Sequence, residues 1–119
     1  MYICPMYSSE LLKGTLRTIV LKLLTENNRM YGYEITQKVK ELSSGKIQIT
    51  EGALYPLLHK LEADKVLTTE IEQYGKRVRK YYKLTPEGYS TAEKLINELT
   101  EFMVTMRQII NPQALHGIA

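Results

Sequence analysis

Apolar residues recur at helical spacing through most of this chain, interrupted by one region of strand-like alternation. In "GTLRTIVLKLLTENN", Leu16, Ile19, Val20, Leu23 and Leu24 take the i, i+3, i+4, i+7, i+8 positions of an amphipathic helix. Thr15 is placed to cap that helix and Asn27-Asn28 to stop it. "YGYEITQKVKELSSGK" puts Ile35, Val39 and Leu42 on a second stripe, ended by Ser43-Ser44-Gly45. "IQI" at 47–49 alternates and predicts a brief strand.

A third helix is predicted over "TEGALYPLLHKLE" even though it holds Gly52 and Pro56. With about 100° per residue, Leu54, Leu57, Leu58 and Leu61 cluster on one side, and Gly52, Pro56, His59, Lys60 and Ala63 fall on the other. Both helix-disfavoured residues therefore face outward. Thr50 is the expected N-cap, leaving the first turn's N–H groups free to meet an anion, with Gly52 giving room for a close approach. Pro56 removes the hydrogen bond to the Gly52 carbonyl. The alternative is that Gly52 and Pro56 mark a loop and the helix begins later.

A hairpin follows. A two-residue Gly75-Lys76 turn pairs Tyr74 with Arg77, Gln73 with Val78, Ile71 with Lys80, Thr69 with Tyr82 and Leu67 with Leu84. One face then carries Leu67, Thr69, Ile71, Val78, Tyr82 and Leu84, with Lys80 as a misfit, while the other sets Glu72 against Arg79. The final segment opens with Thr85 as N-cap and Pro86 at the first helical position. Three heptad series follow: Ala92, Leu99 and Met106; Leu95, Phe102 and Ile109; Ile96, Met103 and Ile110. So broad a stripe needs cover, expected partly from the first helix and partly from a second copy of the chain, with packing inside the monomer as the alternative.

Composition adds limits. The 119 residues suit one ordinary globular core. Neither a signal-like start nor a membrane-length apolar run is present, and a lone cysteine, Cys4, fits a reducing cytoplasm. One Cys with His59 and His116 makes no metal cluster, and no cofactor is expected. The formal net charge is only +3, but "KRVRKYYK" at 76–83 holds five cations and no acid. No nucleophile–base set or Gly-rich phosphate loop points to an enzyme. Cys4 as a redox sensor would need a basic neighbour that the sequence does not supply.

The order of helix, helix, short strand, helix and basic hairpin is that of a winged helix-turn-helix domain, whose third helix enters the DNA major groove. The blocks "GTLRTIVLKLL", "YGYEI", "TEGALYPLLHKLEADKVL" and "RKYYKLTPEG" resemble those of PadR-type transcriptional regulators, over about residues 12–110. The expected fold is mainly α with a small β-hairpin (α+β), a winged helix-turn-helix domain over 1–85 followed by a C-terminal dimerisation helix and tail over 86–119. The resemblance implies a short-form homodimer, typically a repressor, joined through its C-terminal helix and contacts with the N-terminal helix. One departure stands out: Lys65 occupies a position where the family usually has Gly, at a helix exit that commonly needs positive φ.

Resemblance and helical wheel together nominate Thr50, Glu51, Gly52, Tyr55, Pro56, His59 and Lys60 on a recognition helix over 50–64. Lys76, Arg77 and Arg79, in a basic wing over 74–80, are placed for phosphates or the minor groove. For these three the alternative is an ordinary solvated hairpin tip. Tyr55 could donate to a phosphate or pack against the wing or second helix; Tyr81 and Tyr82 read as packing residues. Leu16, Val20, Leu95, Leu99, Phe102, Met103, Met106 and Ile110 are candidates for the dimer interface, several of them also able to line a pocket for a small apolar or aromatic effector, or simply to fill the core. The expected partners are double-stranded DNA at a palindromic operator and a second copy, with no membrane. The rival is a winged-helix module that binds protein, which would carry an apolar recognition face and a neutral wing.

Overall fold

The computed structural model describes residues 7–113, so Cys4 and His116 lie outside the described residues. In chain order the elements are α1 (Ser9–Leu12), α2 (Leu16–Glu26), β1 (Met30–Tyr31), α3 (Gly32–Leu42), α4 (Glu51–Ala63), β2 (Leu67–Tyr74), β3 (Arg77–Leu84) and α5 (Pro86–Ile110). The three strands form an antiparallel sheet in the order β1-β3-β2. Val20, Leu21, Leu24, Ile35, Leu54 and Leu58 have no exposed surface, and Leu67, Tyr82, Leu84 and Ala92 close the core around them. Helices α2, α3 and α4 therefore each give one apolar face to the same centre.

Several local expectations are corrected by the structure. Thr15 sits at the N-cap of α2, but its hydroxyl donates to Leu12 O at 2.8 Å and makes no cap bond, tying α2 to α1, a turn the pattern did not announce. Leu42 is exposed because the last turn of α3 has outrun the core. The segment 47–49 is not a strand: Ile47 N–H donates to Ser43 Oγ at 2.9 Å, which satisfies the backbone locally while Ile47 and Ile49 lean on the core. The third strand is Met30–Tyr31, paired with Tyr82 and Tyr81.

The hairpin register is the one read from the Gly75-Lys76 turn, from Leu67 opposite Leu84 to Tyr74 opposite Arg77. Gly75 has φ 61° and Lys76 does not share the positive region, as a type II′ turn requires. Only the base of the expected core face is buried. Ile71 and Val78 are 67% and 62% exposed, because the hairpin projects beyond the body.

Helix α4 ends in a Schellman motif: Lys65 N–H donates to Glu62 O at 3.0 Å and Val66 N–H to Leu61 O at 2.9 Å, with Lys65 at φ 62°. The exit keeps the left-handed geometry that glycine would favour, and lysine bears its strain. The start of α5 is fastened to this exit. Thr85 N–H donates to Val66 O at 3.1 Å, and the Thr85 hydroxyl donates to Lys65 O at 2.7 Å while accepting from Gly88 N–H at 2.9 Å. A Cβ on Gly88 would overlap the Val66 carbonyl oxygen, so glycine is required there by contact.

A left-handed lysine costs about 1–2 kcal/mol, partly offset by the greater unfolded-state freedom of glycine, about 0.4–1 kcal/mol. Lys65→Gly is therefore expected to stabilise the fold by about 0.5–1 kcal/mol, read as a higher urea midpoint at unchanged m-value. A lowered midpoint would show that the lysine side chain contributes more than its backbone strain costs.

Candidate nucleic-acid interface

Helix α4 forms because its leucines have a core to enter and its first turn has a cap. Leu54, Leu58 and Leu61 are buried, Leu57 is half-buried, and the Thr50 side chain accepts from Ala53 N–H at 3.2 Å. Thr50, Glu51, Gly52, Pro56, His59 and Lys60 are all exposed on the other side. Gly52 has open space around it: an added Cβ would meet nothing nearer than Thr50 Oγ1 at 4.0 Å. No internal contact demands glycine at this place. Lys60 reaches Asp64 at 3.5 Å, an exposed pair of little strength.

Tyr55 behaves differently from its neighbours. Its ring lies against Gly32 at the start of α3, so closely that a Cβ on Gly32 would come within 2.5 Å of the phenol oxygen. At 36% exposed it packs with one edge open, the second-helix contact that was one of its two readings.

The basic run of the hairpin is much altered by folding. Lys80, the misfit of the inner face, pairs with Glu62 of α4 at 3.4 Å and lies 5.5 Å from the centre of the Tyr82 ring. Thr69 Oγ1 also donates to Glu62, at 3.2 Å, so one carboxylate braces the hairpin against α4. Lys83 pairs with Glu70 at 3.3 Å. Arg79 does not pair with Glu72 opposite. Its guanidinium stands over the rings of Tyr31, at 4.5 Å, and Tyr74, at 5.2 Å. Lys76 and Arg77 remain exposed at the tip, with no ion pair among the described residues.

Glu72 is instead taken by Arg29, a residue that precedes β1 and that no local pattern singled out. Arg29 donates to Glu72 at 2.5 Å and to Glu70 at 2.9 Å, and its guanidinium lies 4.0 Å from the centre of the Tyr81 ring. Tyr74 hydroxyl donates to the second oxygen of Glu72, and Tyr31 meets Tyr81 edge-on at 5.5 Å. Hydrogen bonds from Arg29 and then Lys83 hold the Glu70 carboxyl below its ordinary value. Those from Tyr74 and then Arg29 do the same for Glu72, and the Tyr74 phenol is raised in turn. Tyr81 is buried by this cluster although it points away from the core, and the sequence signal was only its packing character.

On α5 the candidate interface residues separate along the helix. Leu95 and Leu99 are half-buried, but Phe102, Met103, Met106 and Ile110 are exposed, with Val104 and Ile109 beside them. Leu16 is half-buried. Val20 has no exposed surface and belongs to the protein's own core, with nothing to offer a partner or ligand. An open depression of about 480 Å³ lies between α2 and α5, lined by Thr25, Tyr89, Ser90, Glu93, Ile96 and Asn97, a set distinct from the apolar candidates.

Residues 20–94 match the family described as "Transcriptional regulator PadR-like family". The chain belongs to that family. Transcriptional regulator Rv3488 of Mycobacterium tuberculosis is 40% identical over 62 residues, 52% of this chain and 55% of that protein. A transcriptional regulator from Clostridium thermocellum superposes with a TM-score of 0.79 at 27% identity, over 88% of this chain and 99% of the other. A PadR-like transcription factor from Bacteroides fragilis gives 0.69 at 35% identity, over 85% and 95%. This PadR-like protein is accordingly a winged-helix DNA-binding transcription regulator and not an enzyme.

Because the folded-state pKa values of Glu70 and Glu72 lie below the ordinary 4.5, their contribution to stability is fully present above that value and is lost as pH falls through the depressed ones. The thermal midpoint is expected to drop on acidification below about pH 4.5, and to drop less in a Glu70→Gln, Glu72→Gln variant that starts from a lower midpoint. Parallel acid profiles for the two proteins would remove this cluster from the acid response.

Proposed function

We propose that the protein is a homodimeric repressor acting in the cytoplasm at a palindromic operator. In this reading residues 1–85 are the DNA-binding unit and residues 86–119 the dimerisation helix and tail. The observation that carries it is the outward face of α4, from Thr50 to Lys60, which is exposed and lean while the opposite face is locked into the core. A helix with its side chains is about 10–12 Å across, a match for a major groove about 12 Å wide. Thr50 caps Ala53 N–H, and the Glu51 and Gly52 N–H groups ahead of it suit a phosphate, while the space around Gly52 suits close approach of the DNA backbone. Few polar side chains face outward, so groove shape contributes to selectivity alongside His59, Lys60 and Glu51.

The wing supplies sequence-independent attraction through Lys76 and Arg77, placed to reach phosphates or the minor groove. Exposed Ile71 and Val78 lean toward the rival protein-binding module, but Val78 stands between Arg77 and Arg79 in β3, and apolar side chains among cations are also what minor-groove wedges use. The second half of α5 supports the dimer: Phe102, Met103, Val104, Met106, Ile109 and Ile110 form more exposed apolar surface than a monomer ordinarily keeps. An apolar or aromatic effector fits this scheme only between two copies, against Leu16, Leu99, Phe102, Met103 and Met106. No membrane partner is proposed, and no helix among the described residues is long and apolar enough to cross one.

Fluorescence anisotropy against the DNA upstream of the protein's own gene, with a scrambled duplex as control, tests operator binding. Selective, salt-sensitive binding is expected, and equal binding to both duplexes contradicts it. Lys76→Ala and Arg77→Ala are each expected to weaken binding to both duplexes and to lower the salt slope by about 0.9 per lost contact; unchanged slopes remove the wing from the mechanism. Phe102→Glu with Met106→Glu is expected to give monomers by light scattering and to weaken operator binding about a hundredfold or more, the avidity of linked half-sites. A persisting dimer places the interface elsewhere.

A further inference from the structure

Glu72 and Arg79 stand directly opposite each other on neighbouring strands, where opposite charges ordinarily pair. They do not pair, and each oxygen of the two nearby carboxylates accepts a hydrogen bond from another group. Arg29 holds one oxygen of Glu72 at 2.5 Å and Tyr74 hydroxyl the other; Arg29 holds one oxygen of Glu70 at 2.9 Å and Lys83 the other at 3.3 Å. Arg79 is left to stand over Tyr31 and Tyr74. Rings over the face of a guanidinium leave its in-plane N–H groups; the Tyr81 hydroxyl engages one side of that edge, and the remaining N–H groups can bind phosphate. Arg77 lies on the same side of the hairpin, two residues nearer the tip.

We propose that Arg29 is a positioning residue for DNA binding: by holding one oxygen of each of Glu70 and Glu72, beside Tyr74 and Lys83, it keeps Glu72 from capturing Arg79, whose guanidinium stays over the tyrosine rings with free N–H groups directed to a phosphate. Arg29 itself touches no DNA. This rests on the operator-binding reading above and adds to it a division of labour between two arginines. A guanidinium suits position 29 because its planar fork reaches both carboxylates while its face covers the Tyr81 ring.

The test is a salt series of anisotropy measurements on one duplex with wild type, Arg79→Ala, Arg29→Gln, the Arg29→Gln, Arg79→Ala double variant and the Arg29→Gln, Glu72→Gln double variant. Arg79→Ala is expected to lower the salt slope by about 0.9, the value of one phosphate contact. Arg29→Gln should lower it by a similar amount, the double with Arg79→Ala no further, and Glu72→Gln should restore the slope lost with Arg29. A purely stabilising Arg29 would leave the slope at its wild-type value, or give additive losses with Arg79→Ala, and either result overturns the proposal. An unchanged slope in Arg79→Ala overturns it too, leaving operator binding to Lys76 and Arg77. Failure of the wild type to bind any duplex overturns both readings together. If Arg29→Gln does not fold by circular dichroism, Arg29→Lys replaces it: a partial loss of slope supports the proposal and an unchanged slope defeats it.

Discussion

The burial of one leucine stripe fixes which way α4 faces, and the whole proposed DNA-facing surface depends on it. Leu54, Leu58 and Leu61 are at most 2% exposed. At about 1.5–3 kcal/mol for each buried leucine, turning the helix over would forfeit roughly 5 kcal/mol or more, comparable to the entire stability of about 5–15 kcal/mol expected of a domain. The outer face is thus held in place by contacts it does not make itself, and its residues are released from any packing duty. Gly52 and Pro56 are tolerated because they sit where the core asks nothing of them. The Schellman exit carries this orientation onward, since Lys65 and Val66 are bonded to Thr85 and set the start of α5.

Charge is organised by a second set of contacts. Five cations in the run 76–83 look like one basic patch when written as a line. Folding brings Glu62 from α4 to Lys80 and Glu70 from β2 to Lys83, while two tyrosines receive Arg79. What remains unpaired among the described residues of this run is a tip of Lys76 and Arg77 on a hairpin braced at its base. A brace of this kind matters for the proposed wing contact, because a phosphate contact made by a rigid strand end loses less ordering entropy than one made by a loose loop.

Much of this was legible in the sequence where the determining forces are local. Hairpin register followed from one turn and the pairing it imposes, and the caps at Thr50 and Thr85 lie in sequence beside the groups they serve. The leucine stripe of α4 could be read because its period is intrinsic to the helix. What escaped depends on residues far apart in the chain. Strand β1 is two residues long and exists only because β3 pairs with it. Arg29 meets its carboxylates across more than forty residues, and no periodicity marks it. Lys80 as the misfit of its face was the one sequence sign that an acid from another element would arrive, although nothing there identified Glu62.

Hydroxyl-radical footprinting of the DNA upstream of the protein's own gene distinguishes a dimer with α4 in the major groove from other arrangements. If two copies lay α4 into successive major grooves, protection appears as two symmetric half-sites about one helical turn, or 10 base pairs, apart, with flanking protection where the wings reach. A single unsymmetric patch, or no protection at concentrations where the protein is dimeric, would contradict the dimeric helix-in-groove arrangement.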